Sequence, residues 1–422
     1  MLHNEVHARP SARIRLPALV VLVAVLNEGV TREQEWRHLQ GLPGQAGMQP
    51  DEFEPNFLRL RCGEFTLKWE RHSEFSRYSM VQALPAGAGL DAAQPDLLSS
   101  FKADADWLRR IPGRTVAAIQ LVLLEHDISD PHSVLAQAQR WLGSTSVVAS
   151  LMGQGHSMVV TDFCLRADGF ERMLVVGAPQ TPVNRAGRIS QRLLELEIYR
   201  LMALRGLPVA KSLAPMLAES EAALAELTAQ MEAGRGAEAQ LLDRLIHLAA
   251  GVERATAQHM YRFSATKAYE ALVRHRMGEL RERSIPGTQT LSAFLERRLN
   301  PASATVAATA QRLASLSERI ERASALLRTR VDIAAETQNQ ELLAKLTRGQ
   351  ELQLTLQSTV EGLSIAAISY YVVSLLVYVG KALKSVGLPV NPDLMAGVLI
   401  PVVLWSVWRA TRRIHDKLFK SH

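Results

Sequence analysis

The stretch from Gly362 to Gly380 holds nineteen consecutive residues without a charged side chain, between Glu361 and Lys381. A helix over this stretch is about 28 Å long, which is close to the roughly 30 Å hydrocarbon thickness of a bilayer. The stretch therefore predicts a transmembrane helix, with a long region of the chain before it and a short region after it.

A second apolar segment, Leu394 to Trp408, contains fifteen uncharged residues. Fifteen helical residues are short for a full crossing, so we expect the span to begin earlier and to cover about residues 388–408. Trp405 and Trp408 suit the membrane interface, and Pro401 is expected to bend the helix. Together the two segments predict a C-terminal two-helix transmembrane hairpin over residues 362–408.

Basic residues are concentrated after the second segment, at Arg409, Arg412, Arg413, Lys417 and Lys420. The connection between the segments carries Lys381 and Lys384 against Asp393. The positive-inside rule then predicts a basic cytoplasmic tail over residues 409–422, both termini in the cytoplasm, and a multi-pass membrane protein. We expect the tail to contact anionic lipid of the bilayer rather than a specific ligand.

Composition confines the membrane part to this end of the chain. Of 422 residues, 47% are hydrophobic and 21% are charged, which excludes wholesale disorder and a transporter with many spans. Cys62 and Cys164 form no CxxC pair, which favours a reducing compartment over a disulfide framework or structural zinc. The net charge of +6 is small, and without a basic–aromatic pattern we expect no nucleic-acid partner.

Residues 1–180 have the pattern of a mixed α/β domain. Runs of strand length and β-branched composition occur at Ala18–Leu26, Phe57–Arg61, Phe65–Arg71, Val116–Leu124, Ser146–Met152, Met158–Arg166 and Glu171–Val176. Helices are expected at Thr31–Leu42, which begins with a threonine cap, and at Asp130–Leu142, which begins with Asp-Pro. The sequence therefore predicts an α+β cytoplasmic domain.

From residue 181 the pattern becomes helical. A helical domain is expected over residues 181–300, with helices near Arg188–Arg205, Leu213–Ala233, Glu238–His275 and Thr290–Leu299. Pro301 is expected to open a long helix over residues 301–361, which leads to the membrane. Its seam of apolar residues is Val306, Leu313, Leu316, Ile320, Ala323, Leu327 and Ala334. This spacing is that of a coiled coil, and it predicts a homo-oligomer.

One face of the first apolar segment is small and polar. It consists of Ser364, Ala367, Tyr371, Ser374 and Tyr378, and Gln350, Gln353 and Gln357 continue it before the segment. These residues follow one another at helical spacing, and such a stripe is expected to avoid lipid. It either packs against the second segment or a neighbouring subunit, or it lines a pore formed by several copies.

No catalytic signature is present. The sequence has no GxGxxG, GxxxxGK[ST], HExxH or GxSxG motif, so it predicts neither an enzyme activity nor a cofactor. His3, Glu5 and His7 alternate, and on a strand they would share a face able to ligate a metal; a hydrogen-bonded terminal segment is the alternative. The sequence identifies no metal, ion or small-molecule ligand.

The run FTLKWERHSEF, Phe65–Phe75, is amphipathic as a strand. One face carries Phe65, Leu67, Trp69 and Arg71, and the other carries Thr66, Lys68, Glu70 and His72. We expect the first face to join the core. We expect the second face to be solvated and to form cross-strand ion pairs, with a ligand-binding face as the alternative.

Five segments resemble a known family. They are NEVHARP (Asn4–Pro10), FTLKWERHSEF (Phe65–Phe75), RLLELEIYRLMALRGLP (Arg192–Pro208), LLRTRVDI (Leu326–Ile333) and TVEGLSIAAISYY (Thr359–Tyr371). Together they resemble a bacterial family of uncharacterised membrane-anchored proteins, a domain family of unknown function. The resemblance covers nearly the whole chain and implies a membrane anchor, but it supplies no activity, substrate or catalytic residue.

The layout is also similar to that of the CorA-type divalent-cation channels, in which a long helix runs from a cytoplasmic α/β domain into the first span. The Gly-Met-Asn signature of those channels is missing, because Tyr378-Val379-Gly380-Lys381 stands in its place. Lys381 and Lys384 would also repel a dication. The sequence therefore favours a non-catalytic scaffold or sensor, whose cytoplasmic domain binds a ligand or partner, over a CorA-like ion conduit.

Overall fold

The computed structural model of the chain describes residues 13–49, 56–234, 237–385 and 392–419. Two compact units follow one another, residues 1–324 and residues 325–422. The first unit contains the strands β1 (Ala18–Leu26), β2 (Phe57–Cys62), β3 (Phe65–Arg71), β4 (Phe75–Ala83), β5 (Arg114–Glu125), β6 (Val148–Met152), β7 (Ser157–Leu165), β8 (Glu171–Gly177) and β9 (Arg283–Ser284). They form a nine-stranded sheet in the order β2-β3-β4-β1-β5-β8-β7-β6-β9.

Strand β1 lies inside this sheet. It pairs antiparallel with β4 on one edge and with β5 on the other, so both of its edges are hydrogen-bonded. Its sequence ALVVLVAVL is buried at all nine residues. A strand covered on both faces has a continuous apolar run, whereas a half-exposed strand alternates. The predicted strand at Ala18–Leu26 is confirmed.

Helices cover both faces of the sheet. One face carries α1 (Arg32–Gln40), α2 (Ala105–Arg109) and α3 (Pro131–Leu142), whose Leu39, Trp107 and Trp141 share a core with Trp69 of β3. The other face carries α4 (Val183–Leu204), together with parts of two longer helices, α6 (Glu238–Leu280) and α7 (Leu291–Ser385). The sheet therefore has a separate hydrophobic core on each side.

Local signals set the ends of the shorter helices. Thr31 and Gln34 form a capping box at the start of α1. The Asp130 side chain accepts hydrogen bonds from the first turn of α3, and Gly143 ends that helix in the left-handed conformation, with φ +66°. A Cβ at this glycine would lie 2.4 Å from the side chain of Gln94, so a larger residue would require that side chain to move.

A long helix, α5 (Gly206–Glu232), precedes α6 in the first unit. Its buried residues are Ala210, Leu213, Leu217, Ser220, Leu224, Leu227 and Met231, at alternating offsets of three and four. Of the predicted seam on α7, Val306, Leu313, Leu316, Ile320 and Leu327 are buried, whereas Ala334 is exposed. Arg312 of α7 pairs with Glu221 of α5 at 2.8 Å. A helix of the same chain therefore lies beside this part of α7.

The sequence prediction places one helix boundary wrongly and omits a nine-residue strand. Pro301 does not open a helix, because α7 runs without interruption from Leu291 to Ser385 with Pro301 inside it. The buried face continues across the proline from Leu295 and Leu299 to Val306, so packing on both sides outweighs the lost backbone hydrogen bond. The second error is the omission of strand β4, whose sequence FSRYSMVQA contains several polar residues that are buried in the structure.

The second unit contains the rest of α7 and helix α8 (Pro392–Phe419). The large apolar residues exposed on α7 before Gly362 are Leu326, Ile333, Leu342, Leu343, Leu346, Leu352, Leu354, Leu356 and Val360. Among the helices that the structure describes, α7 alone is long and apolar enough to cross a bilayer, and the apolar part of α8, Ala396–Thr411, is shorter. The predicted mixed α/β region followed by a long apolar helix is thus confirmed.

Candidate functional site

A chain of buried charges lies between the sheet and helix α4. Glu70 of β3 and Arg77 of β4 are register partners, and the Arg77 guanidinium donates a hydrogen bond to the Glu70 carboxylate. Arg77 also donates to Glu195 of α4 at 3.2 Å, and the Lys68 ammonium lies 3.3 Å from Glu70. Glu70 is fully buried and Arg77 is 5% exposed. Ions this deeply buried are stable only when paired, so the contacts hold strand and helix in one arrangement.

The chain of charges continues towards the surface. Arg276 of α6 forms ion pairs with Glu195 at 2.7 Å and with Glu279 at 2.6 Å. Arg192 of α4 donates to the backbone carbonyl of Glu279 at 3.1 Å and to its carboxylate at 3.4 Å. Cations and anions therefore alternate from Lys68, within the sheet, to Arg192, which is half-buried. We call this set the charge network.

The contacts determine the ionisation of the charge network. Burial by itself raises the pKa of Glu70, but Arg77 and then Lys68 outweigh burial and hold this pKa below its ordinary value. Burial by itself lowers the pKa of Arg77, but Glu70 and Glu195 raise it overall. Burial and the Glu195 charge raise the pKa of Tyr199, which adjoins the network. The contacts thus favour the charged forms of Glu70 and Arg77.

This finding corrects one expectation for FTLKWERHSEF. Phe65, Leu67 and Trp69 are buried in the core, as expected. The opposite face forms the expected cross-strand ion pair, but it is not solvated, because α4 covers it and Glu70 is fully buried. Alternation showed which residues share a face. Alternation within the strand does not predict that a helix more than a hundred residues later in the chain packs on one of those faces.

A second buried cluster of charged residues contains two neighbouring carboxyl groups. The carboxyl groups of Glu171, at the start of β8, and Glu197 of α4 interact electrostatically, and both residues are less than a tenth exposed. Burial and then the Glu197 charge raise the pKa of Glu171 to about 9. Arg200 donates a hydrogen bond to the Glu197 carboxylate at 2.8 Å. The pair therefore holds one proton at neutral pH and releases it only in alkaline solution.

The predicted polar stripe lies on the open side of α7. Ser364, Ala367, Tyr371 and Tyr378 are exposed, and Ser374 is half-buried. The buried residues of this segment are Ser369 and Gly380, with Ile365, Val372, Val373, Leu376 and Val377 half-buried. At 100° per residue, this covered face lies roughly opposite the stripe. Within the described chain the stripe therefore faces outwards, available to lipid or to another molecule.

The other predicted surface residues are only partly described. Gln350, Gln353 and Gln357 are exposed on α7. In the basic tail, Arg409 lies over the ring of Trp405 at 4.9 Å, and Arg409 and Arg413 are exposed. Arg412 and Lys417 belong to α8, whereas Lys420 lies outside the described residues. The His3, Glu5 and His7 hypothesis, the NEVHARP segment and the start of the second span at residue 388 also lie outside them.

No metal centre is formed by the part of the chain that the structure describes, because no three His, Cys, Asp or Glu side chains are grouped suitably for an ion. The most deeply buried carboxylates are instead hydrogen-bonded to arginine, as in the charge network and at Glu197. At these sites the buried carboxylates accept hydrogen bonds from guanidinium groups.

Comparison with curated proteins returned no match. Comparison with protein families returned a match over residues 1–418, which is nearly the entire chain, to the family described as Protein of unknown function (DUF3422). The match includes the sheet, the charge network, α7 and most of α8. The chain therefore belongs to the DUF3422 family.

Proposed function

We propose that this protein is a membrane-anchored, self-associating scaffold or sensor of the bacterial inner membrane. In this proposal the sheet unit is a non-catalytic binding domain on the cytoplasmic side. The main observation in support is that only 6% of the apolar segment of α7 is buried within the folded chain. An apolar helix of this length that remains uncovered in water is strongly unfavourable, whereas lipid covers it without cost.

The covered faces of α7 and α8 support a transmembrane hairpin. Within residues 362–380 of α7 the buried residues are Ser369 and Gly380. On α8 Val403 is buried, and the half-buried residues at helical spacing around it are Ala396, Leu399, Val407 and Thr411. Small residues such as Ser369 and Gly380 allow two helices to approach closely in lipid. The two predicted spans, 362–380 and about 388–408, would then pack on these faces.

The exposed part of α7 supports self-association. Leu342, Leu346, Leu356, Val360 and Leu363 are each more than half exposed and follow a three–four spacing, which Gly349 and Gln353 complete. We call these positions the exposed seam. No described residue of the chain covers it. A second copy of α7 supplies a matching seam, and the polar Gln353 in its middle would favour one register over others.

Membrane fractionation tests the anchor. We expect the full-length chain to stay with the membrane after alkaline washing. The double variant Val373→Asp, Leu376→Asp should move to the soluble fraction, because two carboxylates near the centre of the span make insertion unfavourable by about 5 kcal/mol or more. Leu343→Asp, outside the span, is the matched control and should remain in the membrane. Release of the unmodified chain by the wash would contradict the proposal.

A CorA-like ion conduit is the second candidate, and the outward position of the polar stripe supports it. If the stripe lined a pore, a cysteine at Ser364 would react with a water-soluble thiol reagent, and liposomes holding the protein would conduct cations. If the stripe packs between subunits, the cysteine does not react with the reagent and the liposomes do not conduct cations. We favour the second outcome, because exposed Tyr371 and Tyr378 offer large rings that fill a helix interface.

A further inference from the structure

An arginine-rich cavity of about 430 Å³ opens at the surface of the first unit. Its polar wall consists of Arg185, Arg188 and Arg192 of α4, Arg281 at the end of α6, Gln154 and His156 of the β6–β7 turn, and Glu279. Four guanidinium groups thus share the cavity with a single carboxylate. We call it the arginine cavity.

The carboxylate is already occupied. The Glu279 carboxylate forms an ion pair with Arg192 at 3.4 Å and a second one with Arg276 of the charge network at 2.6 Å. Arg185, Arg188 and Arg281 have no carboxylate within ion-pairing distance among the described residues. The cavity therefore has an excess of about three positive charges, which the described residues do not neutralise.

Three of the cavity arginines, all in α4, occupy positions at which positive charge destabilises a helix. Arg185, Arg188 and Arg192 are spaced by three and four residues, so their positive charges lie on one face and repel each other. They also begin in the first turn of α4, where the helix dipole favours anions. That turn has no acidic residue and its N-cap, Pro182, makes no side-chain hydrogen bond. A local arrangement that opposes the rules for a stable helix is expected at a functional site.

The wall of the cavity is held in place from two directions. Gly153 of the β6–β7 turn donates to the Leu280 carbonyl at 2.9 Å, which fixes the turn against the end of α6. Arg281 itself adopts the left-handed conformation, with φ +46°, as the C-cap of α6. Behind the cavity, Arg192 is held by Glu279 and the charge network. The backbone segments that carry the arginines, and the Arg192 side chain, are therefore positioned before any ligand binds, which reduces the entropy lost on binding.

We propose that the arginine cavity binds a small, phosphate-bearing ligand with at least two negative charges. Guanidinium groups form paired hydrogen bonds with phosphate or carboxylate oxygens. Here they approach from two helices, and a tetrahedral phosphate can accept from several directions at once, whereas a carboxylate presents two oxygens in one plane. The wall contains no phenylalanine, tyrosine or tryptophan on which a nucleobase would stack, and His156 is its one aromatic side chain. Gln154 can hydrogen-bond a hydroxyl group of the ligand.

The inference goes beyond membrane anchoring and does not depend on it, because every residue of the cavity lies in the first unit. Loss of membrane binding in the fractionation experiment would leave the cavity proposal unaffected. A cavity without phosphate affinity would likewise leave the anchor proposal unaffected.

Calorimetric titration of the full-length chain in a non-ionic detergent tests the proposal, with inorganic pyrophosphate and phosphate as probes. We expect pyrophosphate to bind more tightly than phosphate, and citrate to bind more weakly than pyrophosphate. The double variant Arg185→Gln, Arg188→Gln should weaken pyrophosphate binding by about tenfold or more for each guanidinium removed. Arg274→Gln, an exposed arginine on α6 outside the cavity, is the matched control and should retain the affinity within about twofold.

Three results would overturn the proposal: no pyrophosphate binding at millimolar concentration, undiminished binding by the double variant, or an equal loss in the control. The circular-dichroism spectrum and thermal midpoint of the double variant without ligand show whether it is folded, and relief of charge repulsion should keep that midpoint at least as high as in the unmodified chain. Lipid headgroups and soluble phosphates are distinguished by repeating the titration in nanodiscs. If pyrophosphate binds more weakly in phosphatidylglycerol discs than in phosphatidylcholine discs, the phosphatidylglycerol headgroup competes for the cavity, which identifies a lipid headgroup as the ligand. If the affinity for pyrophosphate is the same in both discs, the ligand is a soluble phosphate.

Discussion

Arg77 and Glu195 connect the sheet to α4 across 118 residues of sequence, by a hydrogen bond of 3.2 Å from the guanidinium Nη1 to the carboxylate Oε1. Arg77 also pairs with Glu70 in the neighbouring strand. One guanidinium therefore neutralises two carboxylates, each of them less than a tenth exposed. If it is removed, both carboxylates remain buried and lose their shared partner.

The Arg77→Leu variant should lower the free energy of unfolding by about 3–5 kcal/mol, which is the usual penalty for leaving a buried charge without its partner. Unfolding can be followed by near-ultraviolet circular dichroism, which reports on buried aromatic residues such as Trp69. Arg274→Leu is the control, because Arg274 is exposed and its pair with Glu270 should contribute less than about 1 kcal/mol. Equal stability of the two variants would show that the charge network does not stabilise the fold.

Replacing Glu171 by glutamine should stabilise the protein in mildly alkaline solution. Burial and the Glu197 charge raise the pKa of Glu171 from 4.5 to about 9 in the folded chain. Between these values the unfolded chain releases the proton and the folded chain retains it, so stability falls as the pH rises through this window. Glutamine keeps a hydrogen-bond donor and cannot ionise.

We therefore expect Glu171→Gln to raise the free energy of unfolding at pH 8 by roughly 1–3 kcal/mol, and to change it little at pH 4. Thermal midpoints measured at both pH values give this difference. A variant that is less stable than the unmodified chain at pH 8 would mean that Glu171 is ionised in the folded state.

The charge bias after the second apolar segment predicts that both termini lie in the cytoplasm. A reporter active only in the cytoplasm, fused after His422, should be active. The same reporter near Val386, between the two segments, should be inactive, and a fusion at Glu361 provides the cytoplasmic control. Activity near Val386 would mean that the first segment does not cross the membrane.

Self-association through the exposed seam predicts a specific pattern of cross-links. In a Cys164→Ser background, a cysteine at Leu356 should form a disulfide between two chains under mild oxidation, because it lies on the exposed seam. A cysteine at Glu351 should not, since this position is about 180° from Val360 around the helix. Both positions are exposed, so solvent access does not separate them. Equal cross-linking at the two positions would indicate random collision.

Apolar runs were sufficient to predict most of the sheet. Strand β1 is recognisable because its nine residues are all apolar and β-branched residues are frequent among them. Strand β4 was missed because Ser76, Arg77 and Gln82 are polar yet buried, with Arg77 and Gln82 hydrogen-bonded to partners outside the strand. Polarity is a reliable sign of exposure only where such long-range partners are missing.

The candidate sites show the same limit. The arginines at residues 185, 188 and 192 can be read from the sequence as a cationic face of one helix. Arg281 is almost ninety residues further along the chain from Arg192, and the turn at Gln154 precedes both. Only the fold brings the end of α6 and the β6–β7 turn to that face. Side-chain spacing predicts a face within one element, and tertiary contacts between elements decide whether that face becomes a cavity.

The pairing of β9 with β6 has a consequence for synthesis on the ribosome. Arg283 and Ser284 complete the edge of the sheet beside Leu151 and Ser150, after the helices α4, α5 and α6 have been made. At roughly 5–20 residues per second, on the order of 5–20 s pass between the emergence of β8 and that of β9. During this time the β6 edge is open to pairing with another nascent chain. Arg283 then closes it before the apolar segment of α7 leaves the ribosome, so this order of synthesis lets the sheet finish folding before that segment emerges.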